Sequence, residues 1–161
     1  MMGSGKTYWA ELLKKKMKVP CYDLDTIIEM IEEKSVEEIF EKDGEEVFRR
    51  LEAKTLRWFA EKKQFILSCG GGTPCFSNNI DWMNKHGITI WIDEPIEVLA
   101  ERLIKEREVR PLLKDIKENE MKDFLKNKSE ERMPFYSQAK YRLQGDEINL
   151  QVFQKIIKQH A

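Results

Sequence analysis

Close to its start the chain reads Gly3-Ser4-Gly5-Lys6-Thr7, which matches the end of the phosphate-binding pattern G-x-x-x-x-G-K-[ST]. Glycines in this loop let backbone N–H groups surround phosphate oxygens, and the helix after it presents its positive end to the same oxygens. We expect Lys6 to reach the β- and γ-phosphates of a nucleotide and the Thr7 hydroxyl to hold Mg²⁺. The first glycine of the pattern would precede Met1, so the chain matches only the end of the loop.

The order of apolar and polar residues predicts short strands that alternate with helices. A helix over residues 6–17 follows the loop, and Ser35 with Glu38 forms a capping box that opens a later helix. Other predicted helices cover residues 45–63, 77–85, 95–106, 114–132 and 146–159, and the predicted strands cover residues 19–22, 64–69, 87–93 and 141–143. This alternation is typical of an α/β fold with a mainly parallel sheet, in which ligands bind beyond the carboxyl ends of the strands.

The composition excludes several classes of protein. The 161 residues include 28 basic and 29 acidic side chains, so bulk charge does not favour a nucleic-acid partner. We expect no membrane span and no leader, because no apolar run is long enough and no charged-then-apolar segment opens the chain. The cysteines, Cys21, Cys69 and Cys75, form no CxxC pair. We therefore expect reduced thiols and a cytoplasmic protein. From the length we expect a single domain over residues 1–161.

Two further groups of residues follow predicted strands. Asp23 and Asp25 are two residues apart at a strand end, and we expect their side chains to point the same way. An ordinary helix cap or Asx turn is the alternative explanation of this pair. Gly70-Gly71-Gly72 follows a buried strand, where three glycines weaken the structure unless another group approaches the backbone closely.

Six short motifs occur in a fixed order along the chain. They are GSGKT at 3–7, DLD at 23–25, FRRxE at 48–52, GGG at 70–72, RPLL at 110–113 and ERxPxY at 131–136. Together they resemble the shikimate kinases over nearly the whole chain. The resemblance implies a three-layer P-loop kinase fold with a parallel sheet of strand order 2-3-1-4-5. It also implies transfer of the γ-phosphate of ATP to the 3-hydroxyl of shikimate, a step towards chorismate and the aromatic amino acids.

The resemblance also implies an acceptor site. Arg49 and Arg132 match the two arginines that clamp the substrate carboxylate, for which a guanidinium fork is well suited. Glu52 lies on the same helix face as Arg49 and is expected to hold it, whereas Arg50 is expected to be a surface charge. The expected substrate-binding residues are Asp25, Arg49, Gly70, Gly71, Gly72 and Arg132, with Phe40 and Phe48 resembling the family's aromatic wall.

The remaining expected roles concern ATP and Mg²⁺. By resemblance Asp25 receives the proton of the attacking hydroxyl, Lys6 and Arg110 act on the phosphoryl group, and Thr7 and Asp23 hold Mg²⁺, the latter through water. The expected ATP-binding residues are Gly3, Ser4, Gly5, Lys6, Thr7, Tyr8 and Arg110, and a lid covers residues 107–122. The family often has an arginine near the adenine after the last strand, but this chain has Asp-Glu-Ile-Asn at 146–149.

Alternative functions remain open at this point. Another small-metabolite P-loop kinase, acting on gluconate or a nucleoside monophosphate, shares the phosphate loop and the lid arginine. A nucleotide-binding protein left inactive by its incomplete loop is the alternative outside the enzymes. The family's first strand has no counterpart before residue 3, so we expect that Met1 is not the true start of a working enzyme. We expect the active protein to be a monomer.

Overall fold

The structure is a computed structural model that describes residues 1–105, 113 and 116–160. Its helices are α1 (Lys6–Met17), α2 (Leu24–Glu32), α3 (Val36–Lys42), α4 (Glu45–Arg57), α5 (Asn79–His86), α6 (Ile96–Lys105), α7 (Met121–Tyr136) and α8 (Leu150–Gln159). Its strands are β1 (Cys21–Asp23), β2 (Ile66–Ser68), β3 (Ile90–Asp93) and β4 (Tyr141–Gln144). The expected alternation of helices and strands is confirmed.

The strands described here pair in two parallel two-stranded sheets. β1 pairs with β2, with Cys21 opposite Ile66, and β3 pairs with β4, with Ile90 opposite Tyr141. This pairing joins the family's second strand to its third and its fourth strand to its fifth. In the described part of the chain β2 and β3 are not hydrogen-bonded to each other.

Helices cover both faces of β3. Successive residues of a strand point to opposite faces, and Trp91 and Ile92 enter different apolar clusters. The Trp91 cluster includes Leu99 and Leu103 of α6 and Met121 and Leu125 of α7, and the Ile92 cluster includes Leu13 of α1 and Phe153 and Ile156 of α8. These contacts give the expected three layers. A third cluster joins α2, α3 and α4 around Leu24, Ile28, Ile39, Phe48 and Leu56.

Several element boundaries differ from the sequence prediction. α1 covers the predicted residues, and the Ser35–Glu38 capping box is present, with both reciprocal hydrogen bonds. The prediction that one helix runs over 45–63 is wrong, because α4 ends at Arg57 and a 3₁₀ turn follows at Trp58–Glu61. The prediction that α7 ends at residue 132 is also wrong. It continues to Tyr136 through Pro134, which removes one N–H donor without ending the helix.

None of the helices in the described ranges is long and apolar enough to cross a membrane. Half of the predicted lid, residues 107–112 and 114–115, lies outside the described residues, and so does the start predicted for α7. Leu113, which is described, is fully buried in the cluster with α6 and α7.

Candidate active site

A pocket of about 860 Å³ opens where the strands end. It is lined by Asp23, Ser68, Glu94 and Gly145, each of which ends one of the four strands or directly follows it. The phosphate loop, α4 and α7 close the pocket with Lys6, Arg49 and Arg132. The topology therefore brings the sequence-predicted nucleotide and acceptor residues to one cavity, as expected for ligands of a parallel sheet.

The phosphate loop is built around Gly5, which has φ +81° and directly precedes α1. A side chain is strained in this left-handed conformation, so glycine is required at the position where the loop enters the helix. The Lys6 ammonium group donates to the Met1 carbonyl oxygen at 2.6 Å, and the Ser4 hydroxyl donates to the same oxygen at 2.9 Å. Ser4 is fully buried, so its hydroxyl holds the loop together rather than facing a ligand.

Thr7 and Tyr8 also line the pocket. Tyr8 is 64% exposed and packs edge-on against Trp9 with ring centroids 5.2 Å apart. Its ring is therefore available to a ligand at this end of the cavity.

The two aspartates lie on different elements. Asp23 ends β1 and caps α2, because its Oδ1 accepts hydrogen bonds from the N–H groups of Asp25 at 3.1 Å and Thr26 at 3.4 Å. Asp25 is the second residue of α2. The prediction that both side chains project alike from a strand end is wrong, and the alternative of a helix cap describes Asp23. Both residues nevertheless line the pocket.

Asp25 has the electrostatic properties of a proton acceptor. Its Oδ1 is buried and has no hydrogen-bond partner within the described residues, although it lies 3.4 Å from where a Cβ on Gly70 would be. Burial raises the pKa of Asp25 to about 6, with smaller contributions in the same direction from Asp23 and Glu52. Lys6 acts in the opposite direction. A carboxylate with a pKa just below neutral is well matched to general-base chemistry.

The guanidinium group of Arg49 is held by two carboxylates of its own helix. Nε and Nη2 donate to Glu45 Oε1 at 3.1 and 3.0 Å, and Nη1 donates to Glu52 Oε2 at 2.9 Å. The expected contact between Glu52 and Arg49 is confirmed. Because Glu52 is fully buried, this ion pair is shielded from water. Because a guanidinium group has five N–H donors, two remain for a ligand after these three bonds with described residues.

Arg50 differs from its neighbour. Among the described residues it pairs with Glu46 alone, at 3.0 Å, and its side chain is 67% exposed. This agrees with the expectation that Arg50 is a surface charge.

Three aromatic rings surround the Arg49 guanidinium group. Its Cζ lies 5.8 Å from the ring centre of Phe40, 5.2 Å from that of Phe48 and 4.4 Å from that of Phe76. Phe40 and Phe48, which line the pocket, were expected from the resemblance. The contact with Phe76 was not expected, because nothing in the sequence around Phe76 indicates that the chain turns back towards α4 after the glycines.

The glycine turn lies between the two arginines predicted to bind substrate. A Cβ atom added to Gly71 would be 2.7 Å from Arg132 Nη1, and one added to Gly72 would be 2.5 Å from Arg49 Nη2. A side chain at either position would therefore displace the end of an arginine side chain. The turn thus lies in close contact with both α4 and α7.

The phosphate-loop end of the pocket contains an arginine that belongs to none of the six sequence motifs. Arg102 of α6 donates to the Gly3 carbonyl oxygen at 3.0 Å and to Glu94 Oε1 at 3.0 Å. The period of α6 was visible in the sequence, but its approach to the phosphate loop, 99 residues away, was not. Ile148 also lines this end. The predicted catalytic Arg110 lies outside the described residues.

The donor set of the pocket fits Mg²⁺ bound together with a nucleotide. Among the residues that the structure describes, no group of three or more His, Cys, Asp or Glu forms a metal site. Mg²⁺ commonly takes only one or two protein oxygens and completes its shell with water and phosphate. A hydroxyl from Thr7 and a carboxylate from Asp23, both on the pocket wall beside the phosphate loop, satisfy that requirement.

Comparison with known proteins agrees with the motifs. The family model for shikimate kinase matches residues 2–161. The chain belongs to the shikimate kinase family. A shikimate kinase from Bacteroides thetaiotaomicron is 40% identical over 147 residues, which cover 91% of this chain and 84% of that protein.

Solved structures of the family superpose over almost the whole chain. A crystal structure of shikimate kinase from Bacteroides thetaiotaomicron has a TM-score of 0.86 and 36% identity, and covers 99% of this chain and 91% of its own. The shikimate kinase from Acinetobacter baumannii in complex with shikimate has a TM-score of 0.83 and 27% identity, with 99% and 88% coverage. The P-loop kinase fold implied by the motifs is confirmed.

Proposed function

We propose that the chain transfers the γ-phosphate of ATP to the 3-hydroxyl of shikimate, giving shikimate 3-phosphate and ADP. One observation carries this proposal. Arg49, Arg132 and Asp25 meet at the glycine turn, in the same cavity as the phosphate loop. Two guanidinium groups next to a partly buried carboxyl group suit an acceptor that combines a carboxylate with hydroxyl groups.

In the proposed mechanism the arginines orient the acceptor. Two N–H donors of Arg49 remain after its bonds to Glu45 and Glu52, and they meet the substrate carboxylate together with Arg132. Backbone groups of residues 70–72 contact the ring of the substrate at close range, since no side chain intervenes. Fixing the carboxylate places the far side of the ring, which bears the reacting hydroxyl, towards Asp25.

Asp25 takes the proton of the attacking hydroxyl as the bond to phosphorus forms. Its Oδ1 is buried and has no hydrogen-bond partner among the described residues, so this oxygen can accept the proton. Lys6 exchanges its contact with the Met1 carbonyl for the β- and γ-phosphate oxygens. Arg110 stabilises the charge on the phosphoryl group in transfer, as lid arginines do in related kinases.

Nucleotide binding uses the loop Gly3–Thr7 and the exposed ring of Tyr8. Mg²⁺ would be held by the Thr7 hydroxyl and, through water, by Asp23, whose Oδ1 already caps α2. When bound, the ion neutralises charge on the phosphate oxygens. We further infer that the protein works as a cytoplasmic monomer, which suits its three free thiols.

The proposal is tested by measuring ADP release from ATP and Mg²⁺ with shikimate, gluconate, AMP or CMP as acceptor. Of the four acceptors, we expect only shikimate to support ADP release. We also expect the phosphorus NMR spectrum of the product to show a phosphate monoester on the 3-oxygen. Release with another acceptor instead would favour a different small-metabolite kinase. ATP binding without turnover on any acceptor would favour the inactive nucleotide-binding protein.

A further inference from the structure

Phe76 is a large apolar side chain that remains 39% exposed. Its ring centre lies 4.4 Å from Arg49 Cζ, nearer than the ring of either Phe40 or Phe48. A guanidinium group over an aromatic face at this distance is attracted by the negative face of the ring. Phe40 and Phe48 line the cavity, whereas Phe76 contacts the same guanidinium from outside the cavity lining.

The backbone that carries Phe76 is held in an uncommon conformation. A 3₁₀ turn at Thr73–Cys75 precedes it, and Ser77 and Asn78 after it both have φ +51°. The left-handed conformation is unfavourable for serine, although asparagine adopts it more readily, and two such residues in succession are uncommon. Such strain often marks a segment whose position serves a site.

One buried hydrogen bond and two more exposed ones fix this segment to α4. Thr73 Oγ1 donates to Glu52 Oε1 at 2.6 Å, and both residues are fully buried. Arg57 donates to the Ser77 carbonyl oxygen at 3.0 Å and to the side-chain oxygen of Asn79, whose Nδ2 donates to the Thr73 carbonyl oxygen at 2.8 Å. Residues before and after Phe76 are thus tied to the helix that carries Arg49.

One carboxylate therefore fixes both partners. Glu52 binds Arg49 through Oε2 and Thr73 through Oε1, so the ring and the guanidinium share a buried reference point. The other carboxylate on Arg49 belongs to Glu45, which is 55% exposed and holds it weakly because water and salt screen the pair. Without the Phe76 ring, the guanidinium would keep one rigid carboxylate contact, one loose carboxylate contact and the more distant rings of Phe48 and Phe40.

On this basis, and given the proposed function, we propose that Phe76 is a positioning residue for the acceptor site. It holds the Arg49 guanidinium against Phe40 and Phe48 with two N–H donors directed at the substrate carboxylate, and it covers the outer face of the cation. Phe76 does not itself contact the substrate. Its effect is confined to the affinity for the carboxylate-bearing acceptor.

The test compares Phe76→Leu, Phe76→Tyr and wild type in the shikimate assay. Leu keeps an apolar side chain but removes the aromatic face, and Tyr keeps the face. We expect Phe76→Leu to raise the KM for shikimate about three- to thirtyfold, with the KM for ATP and the melting temperature nearly unchanged. Phe76→Tyr should restore a KM within about twofold of wild type. Trp58→Leu, at an aromatic residue that is 51% exposed and outside the pocket lining, is the matched control.

A double-mutant cycle separates action through Arg49 from other effects. Phe76→Leu should add no further rise in KM when Arg49 is already replaced by Ala, and should keep its full effect in Arg132→Ala. Equal KM values for Phe76→Leu and wild type, failure of Phe76→Tyr to restore KM, or a full effect in the Arg49→Ala background would each overturn the proposal. If wild type itself does not turn over shikimate, the proposed function fails first, which is a different result from an active enzyme indifferent to Phe76.

Discussion

The Tyr136 hydroxyl donates a 2.7 Å hydrogen bond to the backbone carbonyl oxygen of Gly71. Tyr136 lies one helical turn after Arg132 on α7, so one face of this helix provides both a cation beside the glycine turn and an anchor for its backbone. The bond fixes the plane of the peptide between Gly71 and Gly72. It therefore also fixes the direction of the Gly72 N–H group.

Replacing Tyr136 with Phe tests this anchor. The ring stays in place while the partly buried carbonyl of Gly71 loses its hydroxyl donor, at a cost of roughly 1–3 kcal/mol. Among the described residues this carbonyl keeps only the weak contact with Cys75 Sγ at 4.0 Å. We expect the KM for shikimate to rise about five- to a hundredfold as the turn loses its fixed orientation, and the KM for ATP to stay nearly constant. Tyr141→Phe is the matched control, because that hydroxyl pairs with His160 at the surface. Equal rises in both KM values would instead indicate a general loss of structure.

A methyl group on the glycine turn should weaken acceptor binding. In Gly71→Ala the new carbon meets Arg132 Nη1 at 2.7 Å, and in Gly72→Ala it meets Arg49 Nη2 at 2.5 Å, so each arginine must move. We expect at least a tenfold rise in the KM for shikimate in both variants, measured by steady-state kinetics. Gly87→Ala is the control, since its nearest neighbour would be a carbonyl oxygen at an ordinary 3.7 Å. A normal KM in Gly72→Ala would mean that the position of Arg49 is not critical.

Removing either predicted carboxylate ligand should reduce shikimate affinity selectively. Arg49→Ala and Arg132→Ala each remove a charge-assisted contact worth roughly 1.5–3 kcal/mol, which corresponds to about ten- to a hundredfold in affinity. Binding of shikimate and of ATP should be measured separately by calorimetry, and ATP binding should change little. Arg50→Ala, next to Arg49 but 67% exposed, should behave as wild type. Unchanged shikimate binding in either variant would remove that arginine from the clamp.

Local patterns in the sequence predicted the parts of this structure that short-range physics determines. The helix after Thr7 and the capping box at Ser35 depend on neighbours within four residues, and both formed as expected. Asp23 shows the limit of such reasoning. Strand alternation and helix capping made opposite predictions for the same residue, and the two hydrogen bonds that Asp23 accepts from α2 favoured the cap.

The parts that the sequence did not predict depend on contacts between distant segments. Arg57 meets Asn79 across 22 residues, and Arg102 meets Gly3 across 99. The position of Phe76 against Arg49 follows from the first of these contacts, since it orients the segment after the glycines. Neither the hydrophobic periodicity nor the spacing of motifs in the sequence predicts contacts between segments this far apart. The family resemblance supplied Arg49 and Arg132 because their motifs are shared, and it gave no indication of Phe76.

The pKa of Asp25 gives a prediction for the pH dependence of catalysis. Since burial raises this pKa to about 6 in the free protein, the carboxylate needed to accept a proton is lost below that pH. We expect kcat/KM for shikimate to be flat above about pH 7 and to fall about tenfold per unit below pH 6. The measurement is a kcat/KM profile between pH 5 and 8 at saturating ATP and Mg²⁺. A profile without this acid limb would contradict the role of Asp25 as base.

The same raised pKa makes Asp25 a source of instability at neutral pH. A carboxyl group that holds its proton more tightly when folded favours the native state at low pH, and this contribution is lost as pH rises from about 4 to about 6. Between the ordinary value of 3.8 and about 6, the loss is up to about 3 kcal/mol. Asp25→Asn keeps the shape of the side chain but does not titrate. Its free energy of unfolding relative to wild type should therefore increase by up to that amount between pH 4 and pH 7.5.

Denaturant unfolding of both proteins at the two pH values measures this change. The difference in unfolding free energy between Asp25→Asn and wild type is compared at the two pH values. Only its change with pH is informative, because the hydrogen bonding of an asparagine at this site adds a contribution that does not depend on pH. Asp146→Asn, at an exposed residue, controls for the loss of one negative charge and should show no such change. If the difference between Asp25→Asn and wild type is the same at pH 4 and pH 7.5, Asp25 is not the strained carboxylate that its unpartnered Oδ1 indicates. If the difference grows while turnover falls, the carboxylate that destabilises the fold is the one that the reaction uses.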